Sequence, residues 1–161
     1  MCKIIMRHDD LIASVNQFLT APPYEACLLL VHPHPVDLHD AMLRLEAAFH
    51  WPGWPAGQEL AAVLLDVAPQ LRPSVAAGWF REACAARRPG PVLVSDIALL
   101  FERALSLDPL RLLRDASRQT QLIVAWPGTV DDNRLAYAVP EHAHCRYWPT
   151  ADLCPGCIIT L

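Results

Sequence analysis

Residues 27–39, CLLLVHPHPVDLH, decide the fold. Cys27-Leu-Leu-Leu-Val31 is an unbroken apolar run, too short for a helix, and has the pattern of a strand covered on both faces, as in parallel sheets. His32-Pro-His-Pro35 breaks the run. Leu38, Met42, Leu45 and Phe49 then fall on one helical face, with Asp37 placed as its N-cap. Strand, loop and helix follow one another directly, which is half of a parallel crossover unit.

Working outward, two more runs read as buried strands. They are Pro91–Val94, closed by Ser95-Asp96 before the apolar Ile97 to Phe101, and Gln121–Trp126, stopped by Pro127-Gly128. Helical spacing recurs over His8 to Thr20, over Glu59 to Val67, and from Pro73 at N1 to Arg87 and Arg88. Asp108, as a cap before Pro109, opens another helix. Trp51 to Gly57 is irregular chain with room for one short strand. Asp131-Asp-Asn133 is the turn of a small hairpin running into Leu135–Tyr137, and Cys157–Leu161 is a last strand.

Strands alternating with helices imply right-handed crossovers and an α/β fold of three layers, a mostly parallel sheet with helices on both faces. The expectation is a single domain over 1–161, with an N-terminal helix at about 8–20 and a C-terminal hairpin and tail at about 129–161.

Composition narrows the function. In 161 residues, 53% apolar, the chain can bury a core without staples, and its net charge of -4 excludes a broad basic surface for DNA or anionic lipid. The opening MCKIIMRHDD has no apolar signal core, so the six cysteines are expected reduced and the protein cytoplasmic. No apolar run approaches the roughly 18 residues of a membrane span.

In such sheets the ligand crevice lies at the carboxyl ends of the strands, where His32–His39, Ser95-Asp96 and Trp126-Pro127 converge. A helix that starts straight after a strand offers free N–H groups and a positive dipole to a phosphate. The loop that uses them, G-x-x-x-x-G-K-[ST], needs glycines for the backbone to wrap phosphates and a lysine to reach the terminal ones. Here there is no glycine between Cys27 and His50 and no lysine after Lys3. Asp37 adds negative charge and two prolines remove donors. PVLVSD reads either as a strand whose Asp96 holds Mg²⁺ through water or as one whose Asp96 caps the next segment.

Segments VLVSDIALLFERALSLDPLRLLRDASRQTQLIVAWPG and RLAYAVPEH resemble the small P-loop proteins (BrxF) of type 3 BREX phage-defence systems. The resemblance spans most of Cys27 to Trp148. It rests on the acid before Ile97, Leu100-Phe101, Asp108–Leu110, Ser117-Arg118, Trp126–Gly128 and Tyr137–Pro140. It implies a P-loop NTPase-like core of RecA or AAA type and a role in anti-phage defence beside larger ATPase, methyltransferase and phosphatase-like components, with DNA touched only indirectly. By position Asp96 matches the Walker B acid and Trp126 the sensor strand end, while Arg118 is an arginine finger if chains pack in a ring. His32, His34, Asp37 and His39 occupy the nucleotide-loop position. The missing Walker A residues point to a subunit that works through protein contacts, as a homo-oligomer or with a larger ATPase. The alternative is a genuine ATPase taking ATP and Mg²⁺ on an unorthodox loop, with an arginine in place of the lysine.

Other chemistry stands beside this. His32-x-His34, with His39 and Asp96, is one candidate metal set for Zn²⁺ or Mn²⁺. His142, His144, Cys145, Cys154 and Cys157 are a second, for structural zinc. Arg111, Arg114 and Arg118 share a helical face that either grips an anion or is solvated. Trp51, Trp54 and Trp148 are either interface anchors or core.

Overall fold

The computed structural model describes residues 8–139 and 141–161, so Lys3 and Pro140 lie outside it. Its helices are α1 (His8–Thr20), α2 (Pro35–Phe49), α3 (Ala56–Leu64), α4 (Arg72–Ala86) and α5 (Pro109–Ser117). Its strands are β1 (Cys27–His32), β2 (Gly53–Pro55), β3 (Val92–Ser95), β4 (Leu122–Val130), β5 (Arg134–Tyr137), β6 (Arg146–Pro149) and β7 (Ile158–Thr160).

All six residues of β1 are buried, because alternate side chains leave the strand on opposite faces and both faces are covered. Leu28 and Leu30 pack with Leu93, Ile123 and Ala125 beneath α1 and α2, against Leu11, Val15, Leu38 and Leu45. Cys27, Leu29 and Val31 go the other way, with Val94, Val124 and Trp126, beneath α3, α4 and α5. The result is an α/β fold of three layers. Each fully buried Leu or Phe contributes about 1.5–3 kcal/mol.

The main sheet has the order β2-β3-β4-β1-β7, and every pairing along it is parallel. β5 and β6 form an antiparallel ribbon carried by β4. Phe101, Trp126, Tyr137 and Trp148 pack that ribbon to the sheet: Phe101 stacks on Tyr137 at 3.5 Å, and Trp126 meets Trp148 edge-on at 5.3 Å.

Several local expectations are corrected. β4 does not stop at Pro127-Gly128. Pro127 still sits opposite His32 of β1, and the strand then changes partner, with Gly128 to Val130 pairing with β5. Pro127 needs only its carbonyl there, which accepts from the Ala138 N–H at 2.9 Å. A Cβ on Gly128 would run into the Ala136 carbonyl, so the smallest residue stands at that crossing. The N-cap of α2 is His34, with Asp37 in the first turn, because the helix starts at Pro35, whose fixed φ suits a first helical position. α3 begins at Ala56 and ends at Leu64, earlier than the spacing suggested. Asp108 does cap α5, accepting from the Arg111 N–H at 3.2 Å. Trp54 and Trp148 are core side chains, 3% and 8% exposed, and Trp51 is half-buried and stacks on Phe49. Among the described residues, no helix is long and apolar enough to cross a membrane.

Candidate functional site

The carboxyl ends of β2 and β3, the middle of β4 and one face of α2 line a crevice of about 620 Å³, within the range of small-molecule sites. Leu38, Met42 and Ala125 form its apolar wall. His39, Glu46, Gln58, Ser95 and Asp96 supply the polar groups, and among the described residues no lysine or arginine lines it.

At the mouth of β1 the turn is built around His32. This ring is buried, and its Nδ1 lies 3.1 Å from the His34 N–H and 3.2 Å from a carboxylate oxygen of Asp37. An unprotonated Nδ1 accepts from His34, and a protonated one donates to Asp37, so the two contacts compete for one atom. The N–H that a phosphate-binding loop would aim outward is thus turned onto the protein's own imidazole. Pro33 and Pro35 have none to offer. The His34 ring meets His32 edge-on at 5.3 Å, and His39 is exposed on α2 at the crevice wall. His32, His34, Asp37 and His39 therefore share one turn, yet it is a closed and acidic one.

Asp96 directly follows β3 with φ +55, in the left-handed region, and is exposed. It does not cap the next segment. The 3-10 turn Ala98–Phe101 has Ile97 at its N-cap position and no side-chain cap. Instead the Asp96 carbonyl and carboxylate lie against Gly57 in the first turn of α3, where a Cβ would collide with the carbonyl oxygen. Its carboxylate is free to take a cation or a donor from the crevice side.

Trp126 is turned away from the crevice. It is fully buried on the opposite face, where its indole N–H donates to the Ala136 carbonyl at 2.9 Å. Arg118 stands at the far end of the sheet, beside the start of β1, where Ser117 accepts from the Ala26 N–H. It donates to Glu25 at 2.9 Å and pairs with Asp115 at 3.3 Å, while Arg114 holds the other Glu25 oxygen at 2.6 Å. Hydrogen bonding to Arg118, then to Arg114, keeps the Glu25 carboxyl below its ordinary value. Arg114 and Arg118 are thus paired within the protein, Arg111 stays largely exposed, and Arg118 can meet a crevice only in another copy.

The tail residues divide. His142 accepts from the His144 N–H at 3.1 Å and meets Tyr137 edge-on, while His144 lies 3.6 Å from Glu102. Cys157 is buried with Leu30 and Ile159 under the other helical layer, and Cys154 is exposed. Among the described residues, no three His, Cys, Asp or Glu side chains converge to hold a metal, neither in the tail nor around His32 and Asp96. In the tail, Cys157 lies beside Cys27 and Leu29 at the start of β1, whereas His142 meets Tyr137 of β5.

Sequence reasoning missed Glu46, Gln58, Glu102 and Tyr137. Burial raises the Tyr137 hydroxyl, and the Glu102 and Asp96 carboxylates add to the effect, so these groups sit within electrostatic reach of one another. Glu46 was hidden in the polar face of a helix, and nothing in spacing points it at the crevice. No protein-family model, curated protein or solved structure matches the chain.

Proposed function

We propose that the protein is a P-loop-fold subunit without appreciable nucleotide turnover, acting through protein contacts in a BREX-type phage-defence assembly in the cytoplasm. The single observation that carries the loss of catalysis is the crevice at the strand ends. Among the described residues it has carboxylates and no cation on its walls, and prolines and a self-bonded imidazole where phosphate-binding amides would be. A triphosphate placed there would meet Glu46 and Asp96 with no described cation to neutralise it. The RecA or AAA-type reading is supported by the strand order, in which β1 lies centrally and β4 separates it from the strand that Asp96 follows. The BREX assignment rests on the sequence resemblance alone.

The test has two arms. Calorimetric titration with millimolar ATP and Mg²⁺ is expected to give no binding heat, and clear Mg²⁺-dependent binding overturns the proposal in favour of an ATPase with an unorthodox loop. Native mass spectrometry of the chain with the products of its neighbouring genes is expected to show a stable complex with a larger ATPase. A chain that stays alone with every product removes the assembly role.

A further inference from the structure

Cys154-Pro-Gly-Cys157 is a sequence motif that the crevice does not absorb. It forms a tight turn in which the Cys157 N–H donates to the Cys154 carbonyl at 3.1 Å. Gly156 takes φ +82, as the third residue of a type II turn requires, and Pro155 precedes it in the position proline favours. A turn of this kind holds its first and fourth Cα atoms within about 7 Å. A disulfide spans about 4.4–6.8 Å between Cα atoms, so the backbone is already close to the distance the bond needs. The two thiols also interact with each other across the turn.

The pair is asymmetric. Cys154 is exposed, whereas Cys157 is 3% exposed at the floor of the turn. Both line a cavity of about 400 Å³ that reaches in to Cys27 and is open beside Tyr24, so a small reagent can approach the pair. Cys145, the other partly accessible thiol among the described residues, lies outside this cavity.

We propose that Cys154 and Cys157 are a dithiol that closes reversibly to a disulfide by exchange with low-molecular-weight disulfides of the glutathione class. The Cys154 thiolate attacks one sulfur of the small disulfide, and the S–S bond breaks to release one thiolate, leaving a mixed disulfide on Cys154. Cys157 then gives up its proton to solvent and attacks the Cys154 sulfur, expelling the second small thiolate. The dithiol is oxidised by two electrons and the small disulfide is reduced to two thiols, which take up the protons released. Burial first, and then the neighbouring Cys154, push the Cys157 thiol up to about 12, so the second step accelerates as pH rises. Unlike a redox motif that opens a helix, this one precedes a strand and has no helix dipole to acidify it. Closure fastens the residue whose carbonyl receives the Leu29 N–H at 2.8 Å, and so braces edge strand β7 on β1.

The full chain, reduced and then exposed to oxidised glutathione across pH 7 to 9, is quenched with acid, alkylated, weighed intact and peptide-mapped. The expected product has lost the two thiol hydrogens and carries a Cys154–Cys157 link, forming faster at the higher pH and reopening with reduced glutathione. Cys157→Ser is expected to stop as a glutathione adduct on Cys154, and Cys157→Ala serves if serine disturbs the buried site. Cys154→Ser is expected to leave Cys157 unmodified. A stable adduct on wild-type Cys154, a link to Cys27 or Cys145 instead, no reaction at all, or equal reaction of Cys154→Ser would each overturn the proposal. The wild-type map decides the matter even if a variant does not fold.

Discussion

Gly57 and Asp96 touch backbone to backbone: the first turn of α3 lies on the left-handed residue that follows β3, and only a hydrogen in place of a side chain leaves room for the Asp96 carbonyl. This contact sets the height of the crevice wall, because Pro55, Gln58 and Asp96 all line the cavity from either side of it. Gly57→Ala is expected to lower stability by about 1–3 kcal/mol, the usual cost of overpacking against rigid backbone. Urea unfolding followed by tryptophan fluorescence measures it, and an unchanged midpoint would show that the two segments separate freely.

At the same junction, Asp96→Val should cost about 1–2 kcal/mol through its φ of +55, which a β-branched residue resists, whereas Asp96→Asn should be tolerated. Equal loss in both variants would instead point to the carboxylate as the stabilising group.

Acid should weaken the protein at the far end of the sheet. Arg118 and Arg114 hold the Glu25 carboxyl below its ordinary 4.5, so the native state binds the proton less readily than the unfolded one. The resulting stability is fully present above 4.5 and fades as pH falls through the lowered native value. Because the site is partly solvated, Glu25→Gln is expected to cost only about 1 kcal/mol at neutral pH. The difference from wild type should shrink below about pH 4, read from paired denaturation curves. A difference that stays constant with pH would remove the ion-pair explanation.

The β5–β6 ribbon depends on aromatic packing more than on its few ladder bonds. Phe101→Ala removes a ring stacked on Tyr137 and edge-on to Trp126 and Trp148, and is expected to cost about 3–5 kcal/mol. Amide exchange over 134–149 should then accelerate more than in β1. Uniform acceleration everywhere would mean that the ribbon does not open by itself.

Removing the negative charge from the closed turn offers a direct check on the crevice. Asp37→Asn takes a favourable acid from the first turn of α2 and is expected to cost about 0.5 kcal/mol, less at high salt. It should still leave ATP unbound, since no cation is gained. Appearance of Mg²⁺-dependent binding in this variant would show that charge alone had kept the nucleotide out.

Much of the architecture was legible in the chain. Leu28 to Val31, Leu93 to Val94 and Ile123 to Val124 are apolar without interruption, and only a strand covered on both sides can use such runs, so a sheet between two helical layers follows from local sequence. The absence of glycine and lysine in the His32 turn was equally plain, since composition alone decides whether amides and an ammonium group can be offered. Pro127 misled because proline usually ends a strand, and whether its missing N–H matters depends on which neighbour stands beside it. Trp126 misled likewise: position along the strand put it at the crevice, but the parity of the sheet sent its ring to the other face, onto Ala136.

Local sequence thus determined the elements, their covered faces and the want of glycine and lysine in the His32 turn, because each depends on side chains and prolines within a few residues of one another. Only the folded chain decided that Arg114 and Arg118 are spent on Glu25, that Glu46 and Asp96 face one crevice, and that Cys157 lies in the core while Cys154 meets solvent. Those relations join residues tens of positions apart or turn on which face of the sheet is buried, and both are set by crossover packing rather than by any short-range preference.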